Sequence, residues 1–255
     1  MQSLSLVIIT FNEEEKIERC LQSVERIADE IIVLDSFSTD RTEEICKKYK
    51  VKFHQHKFDG HIQQKNRAIA LAKNDYILSL DADELPDSIL LEEIKQLKQN
   101  NALTDAYYFN RLNNYCGKWI KHSGWYPDKK LRLWNRTQGK WGGVNPHDRV
   151  IMQEGIKEVY LKGDLLHYSY DSINQHISQY NYFTDIGARE AFSKQKKSNL
   201  FIAIYKSSWK FIRDYFFKLG LLDGYYGFVI CSLSAHATFV KYLKLRELIK
   251  NDSGS

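Results

Sequence analysis

Leu4–Thr10 is an almost unbroken apolar run, the pattern of a strand buried on both faces. Ile31–Leu34 and Tyr76–Leu80 repeat it, and Val51–His54 is a shorter version. Between these runs the apolar spacing widens to helical intervals. Ile17, Cys20, Leu21 and Val24 share one face; Ile45, Cys46 and Tyr49 share a second; Ile62–Ala72 reads as a third helix; Ile89, Leu90, Ile94 and Leu97 form the buried face of a fourth. Asn12, with Glu15 at the capping-box position, predicts the first helix start, Thr39-Asp40 the second, and Pro86 the fourth. Strands alternating with helices over the first hundred residues predict an α/β fold with a doubly wound, mainly parallel sheet and right-handed crossovers.

Sheets of this kind bind ligands outside the carboxyl ends of their strands. That rule brings Thr10–Glu13, Asp35–Asp40 and Asp81–Glu84 together, and all three are polar. From Ala106 to Tyr168 the pattern changes to short strands, among them Tyr107–Leu112, Lys130–Trp134 and Arg149–Met152, and loops rich in Trp, Tyr, Gly and Asn. This predicts a mixed-sheet half on the acceptor side. After Asp171 the chain reads helical to its end.

Asp81 and Asp83 are two apart at the end of an extended segment, so both carboxylates can face one side. Hard oxygens on a partly open site suit Mg²⁺ or Mn²⁺, completed by diphosphate oxygens. The alternative is a helix cap from Asp83 or Glu84. Asp35 can bind a ribose hydroxyl or a base edge, or serve its own turn, and Asn12 has the same two readings. No glycine-rich loop follows the first strand, which argues against a dinucleotide site or a P-loop. Phosphate charge then falls to metal and cations, with Lys65 and Arg67 as candidates unless they lie on a solvated helix face. In Trp141–Asp148, Gly142 and Gly143 permit close backbone approach to a ligand. Asp148 is a candidate base for an acceptor hydroxyl in an inverting sugar transfer, or else a partner of Arg149. His167, beside Leu165 and Leu166, is a metal ligand or a satisfied turn residue.

The sequences Leu6–Glu13, Ile32–Asp40 and Ser79–Glu84, in this order and spacing, resemble glycosyltransferase family 2 with the GT-A fold. The resemblance implies nucleotide contacts from Thr10, Asn12, Glu13 and Asp35, a ribose or metal contact from Asp81, and the principal metal ligand from Asp83. Over nearly its whole length the chain is similar to the bacterial lipopolysaccharide inner-core glucosyltransferase group, through Lys130–Arg136, Trp141–Asp148, Leu166–Ser169 and Leu219–Gly224. This implies a loop at Gly142, Gly143 and His147, a base at Asp148 and a metal ligand at His167. The group more often has His-Glu where this chain has His147-Asp148, a carboxylate one methylene longer. The expected organisation is a GT-A catalytic domain over 1–170, with a nucleotide-binding half over 1–100 and an acceptor half over 101–170, followed by a helical extension over 171–255.

Composition changes this picture only near the C-terminus. A hydrophobic share of 43% with 27% charged residues is ordinary for a soluble globular protein and excludes a disordered chain. Residues 171–255 hold 12 of the 37 Lys and Arg but 7 of the 32 Asp and Glu, leaving 25 of each in residues 1–170. Lys194, Lys196, Lys197, Lys206, Lys210, Arg213 and Lys218 are interleaved with Phe201, Trp209, Phe211, Tyr215, Phe216 and Phe217. That mixture fits peripheral docking on an anionic membrane, while the excess is too small for a nucleic-acid-tracking surface. Four dispersed cysteines without a C-x-x-C pair predict buried free thiols in a reducing cytoplasm, and no signal peptide is expected.

Together these readings predict an inverting transferase that moves a hexose, glucose first, from a nucleotide-diphosphate sugar to a lipopolysaccharide-core or other lipid-linked acceptor. A UDP-sugar is the leading donor, and the expected location is the cytoplasmic face of the inner membrane. The alternatives are a metal-dependent phosphohydrolase and a non-catalytic, membrane-associated nucleotide-sugar-binding module. The first is disfavoured because an aspartyl-phosphate nucleophile is expected after the first strand, whereas Asp81 comes late.

Overall fold

A computed structural model describes residues 1–144 and 147–253, with the side chains of Val144, His147 and Ser253 outside the described set. The chain forms two compact units, Met1–Arg111 with Asp128–His167, and Leu112–Pro127 with Tyr168–Ser255. The segment 112–127, which the sequence reading placed in the acceptor half, therefore groups with the helical part.

In the first unit, β1 (Leu4–Thr10), β2 (Glu30–Asp35), β3 (Val51–Gln55) and β4 (Tyr76–Asp81) pair in parallel in the order β3-β2-β1-β4. The intervening helices are α1 (Ile17–Val24), α2 (Thr42–Lys47) and α3 (His61–Ala70). Alternation along β1 supplies two cores. Leu4, Leu6 and Ile8 join α1 on one face, while Val7 joins Ile32, Ala68 and Trp134 on the other. Each such fully buried Leu or Ile contributes about 1.5–3 kcal/mol.

The mixed half continues from β4. Its strands are β5 (Glu84–Pro86), β6 (Ala106–Tyr115), β8 (Asp128–Asn135) and β11 (Glu158–Tyr170), and the sheet runs on as β4-β8-β6-β11-β5. Strand β8 is antiparallel to β4, and β5 is antiparallel to β11. Because β5 follows β4 after only two residues yet pairs at the far end of this path, the sheet must curl back on itself. A separate hairpin is formed by β9 (Gly139–Val144) and β10 (His147–Met152).

Several local expectations change. Asn12 does not cap α1; its backbone is left-handed (φ 53°) and its side chain accepts from Thr39 N instead. Neither Asp83 nor Glu84 caps the fourth helix, α4 (Ser88–Gln99). Asp87 does so, accepting from Leu90 N at 2.8 Å, while Pro86 ends β5. Ile89 is exposed, and Leu90 and Ile94 carry the buried face. The cysteines are free; Cys20, Cys46 and Cys231 are buried and Cys116 is half-buried.

The second unit contains β7 (Lys118–Ile120), α5 (Ile173–Ser193), α6 (Leu200–Ile212) and α7 (Gly224–Ser253), with a π-helical turn over Arg213–Phe217 and a 3₁₀ turn over Gly220–Asp223. Buried Asp223 accepts from Lys121 N and His122 N, which fastens segment 118–123 to the helical part. Aromatic side chains including Phe201, Trp209, Phe216 and Phe217 are exposed. Among the described residues no single helix is long and apolar enough to cross a membrane. The bent pair Leu200–Phe217 and Gly220–Asp252, at 71°, meets the length and composition for a broken span.

Candidate active site

The parallel register aligns Thr10 with Asp35 and Ile9 with Asp81, so the carboxyl ends of β1, β2 and β4 meet as the sequence predicted. The loops after β1 and β2 are tied reciprocally. Asn12 N donates to Ser38 Oγ at 2.8 Å, and Thr39 N donates to Asn12 Oδ1 at 2.8 Å. Glu13 N donates to Thr42 Oγ1 at 2.9 Å. Asp35 is fully buried, and its carboxylate accepts from Ser38 N, Ser38 Oγ and Gln55 Nε2, so these bonds realise the turn alternative. Thr10 Oγ1 is buried with no partner among the described residues. The same loops expose the rings of Phe11 and Phe37, which the sequence reading passed over. The available signal was a large aromatic in each polar turn after a buried strand.

At the end of β4, Ala82 is buried in the core between two outward carboxylates. Lys65 Nζ lies 3.1 Å from Asp81 Oδ1 and 2.9 Å from Asp148 Oδ2, with Trp141's ring centroid 4.2 Å away. The side chain of Lys65 is only 5% exposed, so this is not a solvated helix face. Arg67 is different: it pairs with Asp59 at 2.8 Å on the solvent side. Arg132 Nη2 bridges Asp81 Oδ2 at 3.1 Å and Glu84 Oε1 at 2.8 Å. Burial opposes ionisation of Asp81, but Lys65 and then Arg132 outweigh it and hold the carboxyl far below the usual carboxylate range.

Arg132 is aimed by a backbone irregularity. Tyr107 aligns with Leu133 while its neighbour Tyr108 aligns with Leu131, leaving Arg132 as the extra residue of a β-bulge. Such a residue leaves the regular in–out alternation of its strand. The sequence reading missed Arg132 because a bulge has no signature in the hydrophobic pattern of Lys130–Trp134.

Asp148 stands on the β9–β10 hairpin, its Cα partnered with that of Gly143. Asn66 anchors that hairpin, donating from Nδ2 to Trp141 O at 2.9 Å and accepting from Trp141 N at 3.0 Å. Gly143 has φ +97°, which disfavours any side chain. At Gly142 a Cβ would lie 2.6 Å from the tip of the exposed Ile151 side chain across the hairpin, which would have to move aside. The alternative of an Asp148–Arg149 pair is not realised: Asp148 pairs with Lys65, and Arg149 forms no ion pair among the described residues. His147 belongs to β10 by its backbone, and its side chain lies outside the described residues.

The curled sheet aligns His167 of β11 with Glu84 of β5, which places His167 Nε2 3.2 Å from Asp83 Oδ2. Their side chains are 18% and 20% exposed. A carboxylate and an imidazole converging at a half-open rim fit a divalent cation whose remaining positions are filled by phosphate oxygens or water. Asp81 is less suited, because Lys65 and Arg132 already occupy its carboxylate. Among the described residues no set of three His, Cys, Asp or Glu converges, so the chain would supply two ligands.

Parallel strand ends holding one set of polar groups are thus faced by a hairpin that brings an acid, with the mixed sheet beside them. Residues 5–160 match the family described as Glycosyl transferase family 2. An uncharacterised glycosyltransferase of Rickettsia typhi is 32% identical over 257 residues, covering 97% of this chain and 88% of that protein. The lipopolysaccharide core biosynthesis glycosyltransferase LpsC of Rhizobium meliloti is 26% identical over 248 residues, covering 95% and 91%. Among solved structures, S. aureus TarS 1-349 in complex with UDP-GlcNAc aligns at 18% identity with a TM-score of 0.39, over 53% of this chain and 46% of that one. The chain belongs to glycosyl transferase family 2, and it is a glycosyltransferase with a GT-A type α/β sheet and a C-terminal helical extension.

Proposed function

We propose that this protein is an inverting hexosyltransferase, using a nucleotide-diphosphate sugar, UDP-glucose first, and a lipopolysaccharide-core or other lipid-linked glycan as acceptor. The observation that carries this reading is the convergence of Asp148 and Asp81 on Lys65, which sets a hairpin-borne carboxylate beside the strand ends where a diphosphate would lie. Asp148 takes the proton of the acceptor hydroxyl as its oxygen bonds the anomeric carbon and the carbon–oxygen bond to diphosphate breaks on the opposite face. Thr10, Asn12 and Glu13 address the nucleoside, and the exposed rings of Phe11 and Phe37 offer it stacking faces. Asp83 and His167 would hold Mg²⁺ or Mn²⁺, which when bound screens the diphosphate leaving group. The relative named for lipopolysaccharide core biosynthesis supports the acceptor class.

The exposed aromatic residues of the second unit, interleaved with lysines, support peripheral docking on the cytoplasmic face of an anionic membrane. Co-sedimentation with phosphatidylglycerol vesicles but not with neutral phosphatidylcholine vesicles is the expected result, and equal recovery with both would refute it. The catalytic reading is tested by calorimetric screening of UDP-, GDP- and ADP-sugars with Mn²⁺, followed by sugar release with and without chelator. Binding of one donor and its loss in Asp83→Ala are expected. Sugar release that survives both Asp83→Ala and chelation would overturn the metal-assisted mechanism.

A further inference from the structure

The charges of residues 1–170 balance, yet they are unevenly placed in space. A cavity of about 840 Å³ opens in front of Asp81, and six Lys and Arg side chains line it against three acids. Three of the six are spoken for: Lys65 and Arg132 by Asp81, Asp148 and Glu84, and Arg111 by Asp128 and Glu84. Lys130 shares Asp128 at 3.0 Å. Lys129 lies over the ring of Tyr108 at 5.4 Å, and Arg149 forms no ion pair among the described residues. Arg132 adds two buried donors, Nε and Nη1, with no partner among the described residues. Those two donors are closed to the cavity, and the guanidinium is already paired with Asp81 and Glu84 and stacked 5.0 Å from the Trp141 ring centroid, so Lys129 and Arg149 are the cations placed to meet an anion from outside.

The position of this excess separates it from the donor. In the sheet order β2-β1-β4-β8-β6, Asp35 lies two strands to one side of Asp81, while Lys129 and Lys130 lie one strand and Tyr108 two strands to the other. At about 4.8 Å per strand, the two sides are more than a sugar's width apart. The accepting hydroxyl must come within about 3 Å of Asp148, so the body of the acceptor extends over β8 and β6.

We propose that Lys129 and Arg149 form an anion subsite for the acceptor, which is a glycan carrying a phosphate or carboxylate close to the hydroxyl that is glycosylated. This rests on the transferase reading above and adds to it the charge of the acceptor. The test uses mannose 6-phosphate, glucuronate and neutral mannose, titrated calorimetrically into protein saturated with UDP and Mn²⁺, and again into protein without them. At least one anionic probe is expected to bind where mannose does not, and the stronger of the two identifies phosphate or carboxylate as the recognised group. In Lys129→Gln/Arg149→Gln the anion affinity is expected to fall roughly tenfold or more, with UDP affinity and melting temperature unchanged. Binding of neither anion above mannose, or binding unaltered in the double variant, overturns the subsite. Failure of UDP to bind counts against the donor reading alone, because the arm without UDP reads the subsite by itself.

Discussion

Lys65 and Asp148, 83 residues apart in the sequence, meet at 2.9 Å, and the same ammonium touches Asp81. One buried cation thus links the hairpin that carries the proposed base to the strand end that faces the donor. The hairpin's position is an electrostatic property as much as a packing one.

Lys65→Met should therefore destabilise the fold by on the order of 3 kcal/mol, because it leaves two partly buried carboxylates facing each other with only Arg132 beside Asp81. Urea unfolding measures this. A midpoint within error of the wild type would mean that the ion pairs contribute nothing net.

Asp148→Asn keeps the shape of the hairpin and removes the proton acceptor. Transfer should fall by about 10²–10⁴-fold while donor affinity is retained. If kcat is within a few fold of the wild type, the base is another group.

Asn66→Ala removes both hydrogen bonds that hold the Trp141 backbone, at about 1 kcal/mol each. Because Asp148 rides on that hairpin, kcat should fall more than donor affinity. Equal losses in both would place Asn66 in donor binding instead.

In the second unit, His176 is buried, with Nδ1 3.0 Å from Tyr115 Oη and the rings of Tyr170, Trp125 and Tyr180 around it. Burial pushes its pKa down to about 4. The unfolded chain therefore binds the proton more readily between pH 6.5 and 4. The stability gained from a neutral His176 is fully present above pH 6.5 and is lost as pH falls to about 4, by on the order of 3 kcal/mol. His176→Gln should flatten that part of the stability profile. A slope unchanged in the variant would assign the acid sensitivity to other groups.

The parallel half was legible because strands buried on both faces announce themselves as continuous apolar runs. Leu4–Thr10, Ile31–Leu34 and Tyr76–Leu80 lie within the observed strands to within a residue at either end. Their registers then brought Thr10, Asp35 and Asp81 into line without further information. Lys65 could only be left ambiguous, since Gln64-Lys65-Asn66-Arg67 reads as a polar face and its partner comes from a distant hairpin. Local capping rules failed at Asn12 for a related reason: a good cap residue had a better partner on the neighbouring loop. The pairing of Asp83 with His167 depends on the curl of the sheet, which no local pattern encodes.

The extra residue in β8 has a consequence for variation in this chain. Lys129, Lys130 and Arg132 all line one cavity from successive positions of a strand whose alternation is interrupted once. Slipping β8 by a single residue would turn the cationic and apolar rows over together. The proposed acceptor subsite and the hold on Asp81 are thus locked in phase by one backbone irregularity. A change of length inside 128–135 would therefore disturb both at once.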